Sequence, residues 1–293
     1  MSASLAADIA PRAAATAARK ARAAGDGPVF DIQMVKVGAQ ALRVGRTPGD
    51  GRHKPLLIFN GIGANIELLE PLARSLPERE VITFDIPGVG GSPLPMLPYR
   101  PRNIVHLASR LLDQIGHQDV DVLGVSWGGA IAQQFAYTAP GRCRRLILCA
   151  TATGAVMVPA SPRVLWKMAT PRRYLDRDYA RSIVGDIYGG DCRRDRSVLA
   201  AHFPHIKFNS RLGYYMQLAA GAGWTSIHWL HRIAQPTLIM AGGDDPLIPL
   251  QNARLMKRLI PNSELKVLDC GHLFLLTRIV ESAAAIREFL DRP

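Results

Sequence analysis

Eight short runs of apolar and β-branched residues, each of strand length, recur between residues 30 and 269. The runs read FDIQMVKV, ALRVG, PLLIF, VITFD, VDVLGV, RLILCA, PTLIMA and LKVLD. The later runs are continuously apolar, which is typical of strands buried on both faces of a parallel sheet. Helix-like segments lie between them, at about 65–76, 102–116, 128–139, 250–260 and 278–291. This alternation predicts an α/β fold with a mostly parallel central sheet flanked by helices.

The alternation is interrupted once, between residues 155 and 232. This stretch contains only basic and aromatic segments broken by prolines and glycines. We therefore expect residues 155–232 to be an inserted helical lid, and residues 29–154 and 233–293 to form the core. Residues 1–28 are rich in alanine and arginine and almost lack large apolar side chains, which predicts a mobile tail.

Composition narrows the class of protein. A chain of 293 residues that is 48% hydrophobic can bury one large core. No apolar run is long enough to span a membrane and no secretory signal precedes the strands, so we expect a cytoplasmic protein. The four cysteines form no CxxC pair and are expected to be reduced thiols. His228 and His231 form an HxxH pair without a third ligand, so a metal site is not expected. No other cofactor is expected.

The net charge of +12 predicts attraction to acidic surfaces. Basic residues are most concentrated between residues 162 and 212, within the predicted lid. A solvated face and an interaction surface both fit this pattern. The chain has no recognisable element for reading nucleic acid, so a nucleic-acid partner is not expected.

The run VDVLGV leads into Gly124-Val-Ser126-Trp-Gly128, a match to GxSxG. In this motif a sharp turn from strand to helix exposes the serine oxygen, and the two glycines let the strand and the helix approach each other. A helix-like segment follows and Pro140 ends it. The context favours Ser126 as a nucleophile over a serine in an ordinary turn.

A serine nucleophile needs a base, and the base needs a carboxylate that orients it. Two later strand runs end in candidates: one leads into Asp244-Asp245, and the next leads into Cys270-Gly-His272. We predict His272 as the general base. We predict Asp245 as the acid, in preference to Asp244, which is expected to cap the turn.

The oxyanion formed during attack on an ester needs two backbone N–H donors. We predict the amides of Trp127, which follows the serine, and of Ile62, in the loop after the third strand. Gly61 and Gly63 allow that loop to bend inward, and Asn60 is expected to brace it. A plain glycine-rich turn is the alternative interpretation of this loop.

Together, GVSWGG, GGDDPLIP, GHLF and FDIPGVGGS resemble the α/β-hydrolase superfamily. With the segments LLIFNGIGAN, ATATGAVMVP, IYGG and GWTSIHWLH, the chain is most similar to the intracellular poly(3-hydroxyalkanoate) depolymerases, which act on medium-chain-length polyesters. The likeness spans about residues 30 to 290. Members of the superfamily usually have His-Gly at the oxyanion loop, whereas this chain has Asn60-Gly61.

The resemblance implies hydrolysis of a storage polyester at the surface of hydrophobic granules, with granule-coat proteins as possible partners. The aromatic and apolar side chains of the predicted lid are compatible with an aliphatic polyester, although most are expected to pack within the lid. A lid-bearing hydrolase of small esters, thioesters or carbon–carbon bonds remains the alternative within enzymes. A non-catalytic granule-coat protein is the alternative from another class.

Overall fold

The computed structural model describes residues 29–200 and 205–293, so the predicted tail at 1–28 lies outside the described residues. Eight strands form a single sheet. They are β1 Asp31–Val37, β2 Gln40–Arg46, β3 Leu56–Phe59, β4 Val81–Phe84, β5 Val120–Val125, β6 Cys143–Cys149, β7 Thr237–Gly242 and β8 Ser263–Leu268.

The helices between and after these strands are α1 Glu70–Ser75, α2 Pro101–Gln114, α3 Trp127–Thr138, α4 Pro162–Met168, α5 Arg172–Leu175, α6 Arg177–Tyr188, α7 Gly190–Arg194, α8 Arg211–Gly221, α9 Leu250–Leu259, α10 Phe274–Thr277 and α11 Ile279–Asp291. The helix predicted at 65–76 is divided into a 3-10 turn at Ile66–Leu69 and α1. Pro71 explains the division, because it has no N–H to donate to the preceding turn.

The strands lie in the order β1-β2-β4-β3-β5-β6-β7-β8. β1 and β2 pair antiparallel, β2 pairs antiparallel with β4, and every other pairing in the sheet is parallel. The predicted α/β-hydrolase fold with a mostly parallel sheet is therefore confirmed.

Both faces of the sheet are covered, as the continuously apolar runs predicted. Along β3, Leu57 and Phe59 pack into a cluster with Phe135 of α3, whereas Leu56 and Ile58 pack into a second cluster on the opposite face. Successive side chains of a strand point to opposite faces, so a strand that is buried on both sides has apolar side chains at consecutive positions. Each such side chain contributes about 1.5–3 kcal/mol by leaving water.

Residues 155–232 lie between β6 and β7, and we refer to this segment as the insertion. Its described part is helical, from α4 to α8. An isolated antiparallel bridge between Gly154 and Thr225 joins its two ends. None of the helices in the described part of the chain is long and apolar enough to cross a membrane.

A partly buried cluster of charges joins the insertion to the core through Glu67. The Glu67 carboxylate accepts hydrogen bonds from Arg43 Nη2 on β2 at 2.6 Å and from Asn65 Nδ2 at 2.6 Å, and it pairs with Lys207 Nζ of the insertion at 2.6 Å. Burial by itself would raise the pKa of Glu67, but these bonds outweigh burial and lower the pKa to about 2.

Because the pKa of Glu67 is lower in the folded protein, its contribution to stability is present above about pH 4.5 and is lost as the pH falls toward 2. We expect Glu67→Gln to lower the free energy of unfolding by about 2 kcal/mol at pH 7. The difference from the wild type should shrink by about 1 kcal/mol at pH 4. Urea denaturation at both pH values measures this. Glu281 is exposed, so Glu281→Gln is the control. If Glu67→Gln lowered the free energy of unfolding equally at pH 7 and pH 4, the lowered pKa of Glu67 would be contradicted.

Candidate active site

Ser126 occupies a sharp turn between β5 and α3. Its backbone has φ 53° and ψ −118°, a region that costs a residue with a side chain about 1–3 kcal/mol. A Cβ at Gly128 would lie 2.1 Å from the Phe59 carbonyl oxygen, and a Cβ at Gly124 would lie 2.6 Å from Ala132 Cβ. The two glycines of the motif therefore permit the close contact of strand and helix that holds the turn.

Asp245 and His272 form a buried pair at the ends of β7 and β8. Asp245 Oδ2 lies 2.7 Å from His272 Nδ1, and Asp245 Oδ1 accepts the N–H groups of Leu247 at 2.9 Å and Ile248 at 2.8 Å. The carboxylate is thus oriented by its own turn. A hydrogen bond from Nδ1–H to Asp245 leaves Nε2 of the imidazole as the acceptor.

The neighbouring acid, Asp244, has a different environment. It is half exposed, accepts the Gly190 N–H at 2.8 Å and pairs with Arg193 Nη1 at 2.9 Å. The expectation that Asp244 caps its own turn was wrong. Its carboxylate binds the insertion, and Asp245 accepts the N–H groups of the turn.

Ser126 and His272 line the same pocket. Within the described residues, no hydrogen bond joins Ser126 Oγ to the imidazole. Such contacts in ligand-free enzymes are often long and shorten when substrate binds. Cys270, two residues before His272, does not compete as a nucleophile, because burial raises its pKa to about 12.

The loop after β3 faces the serine, since a Cβ at Gly61 would lie 3.7 Å from Ser126 Cβ. Asn60 Oδ1 accepts the Gly61 N–H at 2.8 Å, and Asn60 Nδ2 donates to the Asn65 carbonyl at 2.9 Å. The asparagine thus supplies the loop's supporting bonds in this chain, although the superfamily usually has histidine there.

Two side chains of the insertion, which the sequence reasoning missed, hold the peptide between Ile62 and Gly63. Tyr174 donates its hydroxyl to the Ile62 carbonyl at 2.6 Å, and Gln217 Oε1 accepts the Gly63 N–H at 2.7 Å. Gly63 has φ +69°, and a Cβ there would lie 2.5 Å from the Tyr174 ring. Among the described residues, neither the Ile62 N–H nor the Trp127 N–H donates to another protein group. No local pattern predicts these contacts, because they join residues more than a hundred positions apart.

A cavity of about 140 Å³ lies between the core and the insertion. Its polar side chains are Asn60, Ser126, Arg173, Tyr174, Tyr188 and His272. The insertion supplies much of the apolar wall, including Met168, Val184, Ile187, Leu199 and Ile206. A cavity of this volume holds a ligand about the size of benzene, so it fits one short alkyl unit in this conformation.

The insertion also packs closely against the histidine turn. The His272 N–H donates to the Tyr188 carbonyl at 2.7 Å, and the two rings stack with centroids 6.1 Å apart. A Cβ at Gly190 would lie 1.9 Å from the Gly271 nitrogen. Glycine at position 190 is therefore needed for the insertion to pack against the turn that contains His272.

Most aromatic side chains of the insertion pack within the protein. Tyr214 is buried and Trp224 packs against Trp229, whereas Trp166 is 80% exposed. Phe203 lies outside the described residues. His228 and His231 belong to no group of three metal-binding side chains anywhere in residues 29–200 and 205–293.

We expect Gly190→Ala to lower the free energy of unfolding by about 3 kcal/mol, because the methyl group must displace the Gly271 backbone in addition to straining φ. Gly223→Ala is the matched control. Its φ is also positive, at +72°, but nothing lies within 4 Å of its Cβ position, so it should cost about 1 kcal/mol. Urea denaturation compares the two variants, and equal losses would show that the contact with Gly271 is not tight.

The model of the α/β-hydrolase fold family matches residues 54–279. The chain is 52% identical over 264 residues to a poly(3-hydroxyalkanoate) depolymerase from Ectopseudomonas oleovorans, covering 90% of this chain and 93% of that protein. It is 31% identical over 231 residues to a 2-hydroxymuconate semialdehyde hydrolase from Pseudomonas putida, covering 74% and 79%.

Solved structures share the fold at lower identity. A hydrolase from Pseudomonas aeruginosa PA01 superimposes with a TM-score of 0.75 at 22% identity, over 90% of this chain and 98% of that one. The enol-lactonase from Burkholderia xenovorans LB400 superimposes with a TM-score of 0.76 at 18% identity, over 89% and 100%. The chain therefore belongs to the α/β-hydrolase family and is an ester hydrolase.

Proposed function

We propose that this enzyme cleaves the ester bonds of an intracellular medium-chain-length poly(3-hydroxyalkanoate) through Ser126, His272 and Asp245. The observation that carries the proposal is the buried pair of Asp245 and His272, in which Oδ2 and Nδ1 are 2.7 Å apart. The pocket that His272 lines is also lined by Ser126, which occupies a strained turn. The similarity to the Ectopseudomonas oleovorans depolymerase supports the choice of substrate.

In the proposed mechanism, His272 takes the proton of Ser126 as the serine oxygen bonds to the ester carbonyl carbon. Asp245 stabilises the imidazolium through Nδ1–H, and the amides of Ile62 and Trp127 bind the oxyanion. The ester C–O bond then breaks, and His272 gives its proton to the departing alkoxide. Water, activated by the same imidazole, cleaves the acyl-serine. The residues Asn60, Gly61, Gly63, Gly124 and Gly128 support the turn and loop that carry these donors.

The insertion acts as the lid of this site, and residues 29–154 with 233–293 act as its core. Three features support a lid at residues 155–232: it lies between two neighbouring strands, it forms an apolar wall of the cavity, and it contacts the oxyanion loop and the histidine turn. A cover that excludes water strengthens electrostatic interactions with the developing charge.

We place the enzyme in the cytoplasm at the granule surface, with coat proteins as further partners. Large apolar side chains are exposed on two neighbouring elements, the loop with Leu94 and Met96 and the helix α8 with Leu212. The two elements meet at Gly88, where an added Cβ would lie 3.0 Å from both Leu94 Cδ2 and Gly213 Cα. Exposed apolar groups of this kind suit contact with an apolar surface.

A small-molecule hydrolase is the second candidate, favoured by the similarity to the 2-hydroxymuconate semialdehyde hydrolase. Such an enzyme would use the same three side chains on a compact substrate. Turnover of p-nitrophenyl octanoate without any release of hydroxy acids from amorphous polyester granules would favour it over the depolymerase.

We expect wild-type protein to release 3-hydroxyalkanoates from such granules and to be labelled by a fluorophosphonate. Ser126→Ala should lose both properties, with turnover lowered about 10³-fold or more while the protein remains folded. Mass spectrometry of the label and product analysis measure these outcomes. Absence of labelling in the folded wild type would instead support a non-catalytic granule-coat protein.

The adjacent acids offer a matched pair of variants. We expect Asp245→Asn to lower kcat about 10⁴-fold, because an amide cannot hold the imidazole in the required tautomer or stabilise its cation. Asp244→Asn keeps one acceptor oxygen and loses the charge that pairs with Arg193, so it should lower kcat less than about tenfold. Steady-state kinetics on p-nitrophenyl octanoate compares them, and a larger effect at Asp244 would refute the assignment.

A further inference from the structure

Arg173 of α5 is a buried cation that lines the catalytic cavity. Only 5% of the residue is exposed, and it makes no ion pair with any described residue. Arg43 illustrates the usual arrangement, since its guanidinium pairs with both Glu67 and Asp85. A buried charge without a counter-ion is unfavourable. The guanidinium carbon lies 4.4 Å from the ring centroid of Tyr174 and 5.3 Å from that of Tyr214, and these cation–π contacts offset only part of that cost.

The hydrogen-bond partners of Arg173 are tyrosine hydroxyls. Nη1 donates to the Tyr214 hydroxyl at 2.8 Å and Nη2 donates to the Tyr174 hydroxyl at 3.3 Å. The Tyr214 hydroxyl donates onward to the Met168 carbonyl at 2.6 Å. Burial raises the pKa of Tyr214 and of the adjacent Tyr188, so these phenols stay protonated at neutral pH and supply no negative charge.

The guanidinium retains unused donors. It carries five N–H groups, of which two donate to the phenols. Nε is enclosed without a partner among the described residues, so the second N–H groups of Nη1 and Nη2 are the donors left for a ligand. A planar fork of this kind binds a carboxylate through two parallel hydrogen bonds. The unused donors and the missing counter-ion indicate the same class of ligand, a carboxylate that enters the cavity.

We propose that Arg173 binds the terminal carboxylate of the polyester chain and directs Ser126 to the last ester bond. This inference rests on the proposed function. In a poly(3-hydroxyalkanoate), four covalent bonds separate the last ester carbonyl carbon from the terminal carboxylate carbon, a span of about 5 Å. Arg173 Nη2 lies 3.3 Å from the Tyr174 hydroxyl, which lies 2.6 Å from the Ile62 carbonyl oxygen. The guanidinium is therefore no more than about 6 Å from the oxyanion loop, which is comparable with the length of one terminal unit.

The reaction then shortens the chain by one unit at its acid end. Ser126 Oγ bonds to the last ester carbonyl carbon, and the C–O bond to the terminal unit breaks. His272 transfers the serine proton to the alkoxide of that unit, which leaves as a 3-hydroxy acid with its carboxylate on Arg173. Water then hydrolyses the acyl-serine and creates a new carboxylate terminus, which is the ligand for the next cycle.

The test uses two trimers of 3-hydroxyoctanoate, one acetylated at its hydroxyl end and one methylated at its acid end. For the wild-type enzyme we expect kcat/KM to be about 100-fold lower for the trimer with the blocked acid, because the ester cannot pair with the guanidinium. Equal cleavage of both trimers would overturn the inference and leave the proposed function intact. Cleavage of neither trimer would overturn both.

The variant Arg173→Gln assigns the preference to this residue. The ratio of kcat/KM between the two trimers should fall from about 100 to below about 5, and Arg173→Lys should retain part of the ratio. Arg181→Gln removes an exposed arginine from the same insertion, paired only with Asp178, and should retain the full ratio. If Arg173→Gln lowers cleavage of both trimers equally, the arginine only positions Tyr174 and Tyr214, and the inference fails. The wild-type comparison decides the question even if that variant does not fold.

Discussion

The site depends on a backbone constraint, the left-handed conformation of Ser126 at the end of β5. An extended or helical serine would leave its oxygen beside the sheet rather than above its edge. The conformation persists because neighbours restrict it from several directions: the Ser126 N–H donates to the Cys149 carbonyl, and Thr151 donates to the Ser126 carbonyl. Glycine at 128 removes the side chain that would otherwise push Phe59 away. Strain at this position is thus balanced by packing on the adjacent strands.

The insertion contributes to the geometry of the site as well as to its cover. Tyr174 and Gln217 hold the two sides of one peptide in the loop after β3, and the Tyr188 carbonyl accepts the N–H of His272. Glu67 joins the core to Lys207 in the same region. Movement of the insertion would therefore alter the loop and the histidine turn together.

The charge of the insertion has two separate physical roles. Exposed arginines such as Arg172 and Arg181 pair with nearby aspartates and are screened by solvent. Arg173, next to Arg172 in the chain, is buried among phenols at the cavity. Net charge alone predicted attraction to acidic surfaces. The structure shows that the arginines differ in burial, so buried Arg173 can bind one group specifically, whereas the exposed arginines contribute only to the overall electrostatic field.

The sequence alone determined the strands, the burial of β3 to β7 on both faces, and the positions of Ser126, Asp245 and His272 after three of the strands. These features depend on local periodicity and on turns at the carboxyl edge of a parallel sheet, which neighbouring residues encode. Only the tertiary structure identified Tyr174, Gln217, Tyr188 and Arg173 as neighbours of the site, and only it showed that Asp244 binds the insertion through Gly190 and Arg193. The insertion folds back across the sheet, so its contacts depend on packing between distant segments, and no pattern within either segment specifies which side chains meet.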